Sequence, residues 1–273
     1  MELFKIDEKN CSRDGICAAV CPVRLIELQD EGYPSPIDGA DELCVRCGHC
    51  VAACPNGCLS HGEMPVDECP PIRQELMLTA EHCEHFLRSR RSIRNYLDKP
   101  VPRGEIERLI QVARHAPSGH NSQCAEWLVL DNRDELKRLA GIVAGWMEWM
   151  LANMREMALS FHMDRTLQRW NGGEDVILRD APVVIITHAA EANRLALSTC
   201  TIALTYLELA ATSMGLGSCW AGWFNAAATT FPPMKKALAL PAGHQCFGAM
   251  MLGYPEYVYH RLPTRRPPAI TWR

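Results

Sequence analysis

The residues best equipped for chemistry in this chain are cysteines at fixed spacing. Cys44, Cys47, Cys50 and Cys54 follow one another as C-x2-C-x2-C-x3-C, and Pro55 comes next. Three thiolates on so tight a loop reach three corners of one iron–sulfur cube. The fourth, followed by a helix-breaking proline, points away and serves a neighbouring cluster. An earlier run, Cys11, Cys17 and Cys21 before Pro22, keeps the same frame with Asp14 where the second cysteine belongs. Crossing the ligands between runs gives one [4Fe-4S] cluster Cys44, Cys47, Cys50 and Cys21. The other takes Cys11, Cys17 and Cys54, with Asp14 as the expected fourth ligand. A carboxylate oxygen is a hard donor for such iron. An open corner, loss of that iron, or recruitment of Cys58 are the alternatives. Zinc needs only four ligands and leaves the paired run unexplained. The chemistry implied is electron transfer.

A second constellation is basic. Arg88, Arg90, Arg91 and Arg94 fall within seven residues around Ser89 and Ser92, and Arg261, Arg265 and Arg266 lie far downstream. Guanidinium forks with a serine hydroxyl make a phosphate clamp, although composition alone favours a solvated basic face. Between them, residues 117–123 (PSGHNSQ) form a small polar loop suited to hydrogen-bonding a polar ring. Residues 215–224 (GLGSCWAGWF) supply glycines that let backbone approach a planar ligand.

Composition limits the classes open to the chain. Its 273 residues, 48% apolar, allow one large domain and a small one. A net charge of −4 gives no reason to expect a nucleic-acid partner. Residues 1–65 hold five basic and eleven acidic side chains, so the acidity is concentrated there. Eight of the fourteen cysteines precede residue 60, and residues 1–8 lack a basic stretch leading into an apolar run. Clustered cysteines without a secretion signal point to metal sites in a reducing cytoplasm. Residues 195–224 carry one charge, Glu208, in an apolar stretch. A charge there is costly in a bilayer, so a buried or subunit-interface helix is expected and no membrane span.

The elements that must position these groups fall into three parts. Residues 1–65 are a small two-cluster domain, 66–78 a proline-containing linker, and 79–273 a larger domain. Its expected helices cover 79–89, 103–115 and 191–214, with Ile106, Leu109, Ile110 and Ala113 forming one apolar face. Residues 141–170, with three Trp and five Met, continue a helical pattern as far as Asn171. Strands are expected at 127–130, 183–187 and 247–252. Helices and strands mix without a βαβ rhythm, which gives an α+β class.

These residues carry a resemblance to a known family. RRSIR at 90–94, PSGHNSQ at 117–123, GLGSCWAG at 215–222 and the arginine pair at 265–266 stand in the order found in the nitroreductase family of FMN enzymes. Residues 1–60 resemble a bacterial two-cluster ferredoxin, so the chain is similar to the branch of that family bearing such a domain. The resemblance implies a central, mostly antiparallel sheet wrapped by helices. It implies that Arg90, Arg91, Ser92 and Arg94 bind the FMN phosphate and ribityl chain, with Arg265 and Arg266 closing on the phosphate. Ser118, Gly119 and Asn121 would come from the other subunit of a homodimer. The backbone of Trp220, Ala221 and Gly222 would face the flavin ring. The family's proline-containing continuation is replaced here by residues 124–127 (CAEW).

The function so implied is an FMN- and iron–sulfur-dependent oxidoreductase. Electrons would pass from a donor, reduced ferredoxin or NAD(P)H, through the clusters to FMN. They would go on to a small organic acceptor of nitroaromatic, quinone or enone type. The cofactor carries the reaction, so no side chain is expected to act as acid or nucleophile. The alternative is an electron-transfer or redox-sensing module serving a protein partner. Glu81, His82, Cys83, Glu84 and His85 lie on an amphipathic helix outside the core and read as solvated rather than as a metal cluster, and His49 reads as a loop residue. Gly215 and Gly217 are no dinucleotide fingerprint. The Trp and Met of residues 146–163 read as core or a lid, and the resemblance offers the alternative that this region shapes the substrate pocket.

Overall fold

Two turns of the same shape organise the N-terminal part of the chain. In the computed structural model, which describes residues 3–29 and 32–273, the chain divides into two units. The first holds residues 1–77 together with 120–122. Its elements are β1 (Phe4–Ile6), α1 (Ile16–Val20), β2 (Ile26–Leu28), β3 (Pro34–Pro36), α2 (Ala40–Leu43), α3 (His49–Ala53) and β4 (Leu59–His61). β1 pairs with β4 and β2 with β3, both antiparallel. Gly15 at φ 72° opens α1 just as Gly48 at φ 71° opens α3, a left-handed geometry natural to glycine. Arg13 and Arg46, two positions earlier, are also left-handed, at 55° and 51°. Cys21 and Cys54 close the two helices at the same ψ of 113°. The cysteine repeat is therefore a backbone repeat. The apolar core here is small, centred on Phe4, Cys17, Ile26, Val51 and Leu59.

The second unit is built on a sheet. Its elements begin with α4 (Ala80–Ser89), α5 (Arg103–Ala113), β5 (Glu126–Leu130), α6 (Arg133–Asn153), α7 (Arg155–Ser160) and α8 (Met163–Asn171). They continue with β6 (Val183–Ala190), α9 (Ala196–Ser213), β7 (Gly217–Trp220), α10 (Gly222–Thr230), α11 (Pro232–Leu238) and β8 (His244–Gly253). Thr79 and Asn132 cap α4 and α6 by accepting the amides of His82 and Glu135. The strand order is β5-β6-β8-β7, antiparallel throughout. β6 is buried on both faces, which its run of β-branched residues anticipates. One face packs on α6, α10 and α11 through Leu139, Met147, Phe224 and Met234. The other packs on α5 and α9 through Leu109, Leu204 and Leu207. This is the α+β arrangement expected, an antiparallel sheet wrapped by helices.

Two expectations need correction. The helical pattern of 141–170 is not one helix, because it breaks at Met154 and again at His162, which is left-handed at φ 58°. The glycine-rich stretch around 217–222, to which the sequence assigned no element, forms β7 and the start of α10. The helix expected over 191–214 is shorter, beginning at Ala196 after a turn.

Candidate functional site

In the first unit the four predicted ligands Cys21, Cys44, Cys47 and Cys50 line one cavity, walled by Phe4, Leu25 and His61. Cys11, Asp14, Cys17 and Cys54 line a second, with Cys58 in its wall. The repeat extends to the amides. Leu25 N donates to Cys21 Sγ, and Cys58 N donates to Cys54 Sγ, each at 3.3 Å. Arg46 N donates to Cys44 Sγ at 3.4 Å. N–H groups aimed at sulfur suit thiolates, and both donor sets fit iron–sulfur cubes.

Asp14 stands at the backbone position that Cys47 holds in the other run. Its Oδ1 accepts the Ile16 amide at 3.0 Å and its Oδ2 the Ser12 hydroxyl at 2.7 Å. These bonds hold its carboxyl below the usual carboxylate range. Cys58 is the repeat-mate of Leu25, a wall position. Its Sγ lies 3.2 Å from Cys54 Sγ, and burial first of all pushes its thiol up to about 12. Burial likewise pushes the Cys50 thiol up to about 11, so its ionised form depends on a bound metal.

One residue next to these sites was not foreseen from the sequence. His61, buried on β4, accepts the Glu63 amide at Nδ1 at 3.0 Å. Its proton is therefore on Nε2, which lies 3.8 Å from Cys44 Sγ. Nothing in its sequence context marks it, because the β1–β4 pairing brings it there.

In the second unit residues 90–94 run beside β7. Ser92 bridges Ser218, and Ile93 N donates to Ser218 O at 2.9 Å. Gly217 is required by this contact, since a Cβ there would lie 2.5–2.9 Å from Ile93 side-chain atoms. Arg90 is not free: its Nη1 pairs with Glu208 Oε1 of α9 at 3.0 Å. That pair explains the one charge in the apolar 195–224 stretch. Arg91 donates Nη1 to Arg90 O at 2.7 Å, and its Nε is buried without a partner. Arg94 reaches a cavity of about 660 Å3.

That cavity lies against the β7–α10 junction, where Trp220, Gly222 and Trp223 line it. Opposite are Trp146 and Trp149 of α6, Met157 of α7 and Met163 of α8. Trp223 stands 6.3 Å, centroid to centroid, from both Trp146 and Phe161. Ala221 is buried, its N–H committed to Ala249 O at 2.9 Å. Arg179 adds a second guanidinium to the wall, and a lone arginine before Asp180 gave no signal in the sequence. The helix break at 154–162 is what turns the Met- and Trp-rich segment into a wall.

The remaining predicted residues are elsewhere. Ser118 Oγ accepts Gln123 N at 3.0 Å, and Gly119 packs on Leu195. Residues 120–122 group with the first unit, where Asn121 Nδ2 donates to the carbonyls of Val45 and Arg46. His120, Asn121 and Gln123 are all left-handed, a concentration of strained backbone in one loop. Arg265 and Arg266 are exposed and form no ion pair among the described residues. A single chain thus brings Arg94, Trp220 and Gly222 to one cavity, and leaves Ser118, Gly119, Asn121, Arg265 and Arg266 outside it.

Residues 87–254 match the profile described as the nitroreductase family, and residues 3–55 match that of a 4Fe-4S dicluster domain. A candidate NADH dehydrogenase/NAD(P)H nitroreductase of Archaeoglobus fulgidus is 27% identical over 176 residues, 64% of this chain and 87% of its own. An FMN reductase (NAD(P)H) of Bacillus subtilis is 28% identical over 125 residues, 41% of this chain and 50% of its own. Among solved structures, a nitroreductase with bound FMN from Bacteroides fragilis has a TM-score of 0.56 at 24% identity, covering 69% of this chain and 96% of that one. A BluB-like flavoprotein from Clostridium difficile has the same TM-score at 20% identity, covering 68% and 94%. These structural likenesses are of fold.

Proposed function

Because the chain belongs to the nitroreductase family of oxidoreductases and carries a 4Fe-4S dicluster domain, we propose that it passes electrons from two cubane clusters to FMN and on to a small organic acceptor. The observation that carries this reading is the cavity of about 660 Å3 at the β7–α10 junction, with aromatic and Met walls and two guanidiniums. Its size suits a small molecule, and its walls suit flat, apolar rings such as nitroaromatics, quinones or enones. A formed cavity supports an enzyme over a carrier that merely docks on a protein.

Cys21, Cys44, Cys47 and Cys50 would hold one cluster, and Cys11, Asp14, Cys17 and Cys54 the other. Asp14 is preferred because it occupies the position of Cys47 in the repeated turn, whereas Cys58 occupies that of Leu25. The flavin fits the second unit on two counts. Arg91 Nε is a buried donor without an acceptor, and Arg94 and Arg179 bring positive charge to an apolar wall. Arg91, Ser92 and Arg94 would anchor the phosphate and ribityl chain. Arg90 would act through Glu208 to fix that segment. When bound, the clusters supply one-electron steps and FMN supplies transfer of an electron pair. The chain itself positions the acceptor and excludes water with Trp146, Trp149 and Trp223. Ser118, Gly119, Arg265 and Arg266 would complete the site from a second copy in a homodimer.

Anaerobic analysis tests the cluster assignment: two cubes hold about eight irons per chain, and about four would remove one cluster. Asp14→Cys should keep full iron, whereas Asp14→Ala should lose iron from one cluster and Cys58→Ala should not. The reverse pattern would hand the fourth position to Cys58. Mixing the protein anaerobically with reduced ferredoxin or with NADPH and following flavin bleaching identifies the donor. A protein that never takes up FMN would overturn the function.

A further inference from the structure

We propose that Glu126, His188 and His244 form a binding site for a divalent transition-metal ion, zinc by preference, at one end of the four-stranded sheet. None of the three lines the aromatic cavity. Three strands bring them together. Glu126 opens β5 and pairs with His188 of β6, while His244 opens β8 and pairs with Ala190 of β6. The β6–β8 register shifts between Thr187 and His188, and such a bulge re-aims the side chain that follows.

The ligand atoms face one another. His188 Nδ1 and His244 Nδ1 are 3.1 Å apart. Glu126 Oε2 lies 4.0 Å from the first, and Oε1 lies 3.9 Å from the second. Two nitrogens on one tetrahedral zinc, at normal bond lengths, are about 3.3 Å apart. The imidazole pair already has that spacing. The three ligand atoms all lie within 4.8 Å of one another, and the Glu126 side chain, 57% exposed, can turn to bring one oxygen to the spacing of a zinc site. A hydrogen bond between two imidazoles accounts for one contact, yet not for a carboxylate facing both nitrogens.

Neutral imidazole is the form that ligates metal. Two imidazoles and a carboxylate are a zinc donor set, and three protein ligands leave a position for water or an anion. Glu126 belongs to the 124–127 segment in which this chain departs from the resemblance. An ion here would tie β5, β6 and β8 together immediately after the loop of residues 117–123.

The test uses the iron-loaded, full-length protein prepared anaerobically. It is equilibrated with zinc chloride, and zinc and iron are measured per chain in wild type, His244→Ala and Glu126→Gln. Full iron content shows that the cysteine sites are occupied and cannot take the zinc. The expected result is one zinc per wild-type chain, with affinity at least about tenfold weaker in each variant. Zinc should also raise the unfolding temperature of wild type and not that of His244→Ala. His244 starts a strand and is partly exposed, so its variant should fold, and Glu126→Gln preserves shape if it does not. Absence of zinc in wild type, or equal binding in wild type and Glu126→Gln, would overturn the site.

Discussion

At the scale of single residues, the buried pair of Arg90 and Glu208 shows how a charge survives in an apolar helix. Glu208 is 8% exposed at its side chain and Arg90 23%, so loss of either partner is unequal in its effect. Arg90→Met strands a nearly buried carboxylate without its partner and should destabilise the second unit by about 3–5 kcal/mol. Glu208→Gln leaves a guanidinium that can turn toward solvent and should cost less. Replacing both with apolar residues of similar volume should restore most of the stability. Denaturant unfolding of the three variants measures the order, and equal losses in both single variants would contradict the burial asymmetry. His61 is a positioning residue of another kind, since its Nε2–H faces Cys44 Sγ at 3.8 Å. A donor to a ligand sulfur favours the reduced, more negative cluster. His61→Leu should therefore lower the midpoint potential of one cluster without loss of iron, read by redox titration with electron paramagnetic resonance. An unchanged potential would reduce His61 to a packing residue.

At the scale of elements, the docking of residues 90–94 on β7 depends on one missing methyl group. Ile93 occupies the space beside Gly217, and a Cβ would meet its Cγ1 at 2.5 Å. Gly217→Ala should cost about 1–3 kcal/mol by overpacking. It should also push the arginine segment off the strand, weakening flavin retention. Adding Ile93→Ala should recover part of both losses, because it removes Cγ1 and Cγ2 and leaves only the Cβ at 2.8 Å. Flavin content after gel filtration reports the outcome, and full retention in Gly217→Ala would break the link between this contact and the site. The α6–α8 segment works in the opposite sense. Its breaks at Met154 and His162 let Trp146, Trp149, Met157 and Met163 face one cavity, which a straight helix could not arrange.

At the scale of the whole molecule, several large apolar side chains of the second unit are left exposed. α9 exposes Leu197 and Tyr206, and the tail exposes Tyr257, Val258, Tyr259, Ile270 and Trp272. Beyond Glu256 the tail makes no backbone hydrogen bond among the described residues. Exposed apolar side chains in such number are what a partner surface can cover. A second copy, with the tails wrapped across it, is the proposed occupant, in an interface above roughly 2,000 Å2. Sedimentation should give a dimer whose dissociation coincides with flavin loss, and truncation after Glu256 should weaken both. A truncated chain that stays dimeric with full flavin would remove the tail from the interface.

The sequence by itself determined the two cluster runs, because their ligands lie within a few residues of one another and a local turn is enough to gather them. It also determined the α+β class and three of the four strands of the main sheet, since β-branched and apolar runs report burial directly. β7 escaped because four residues containing glycine and serine carry no strand pattern, and only pairing with β8 makes them one. The commitment of Arg90 to Glu208, the reach of Arg179, the place of His61 and the meeting of Glu126, His188 and His244 were decided by tertiary structure alone. Each joins residues from separate strands, helices or loops. Spacing along the chain says nothing of such contacts until the sheet registers and helix packing have formed.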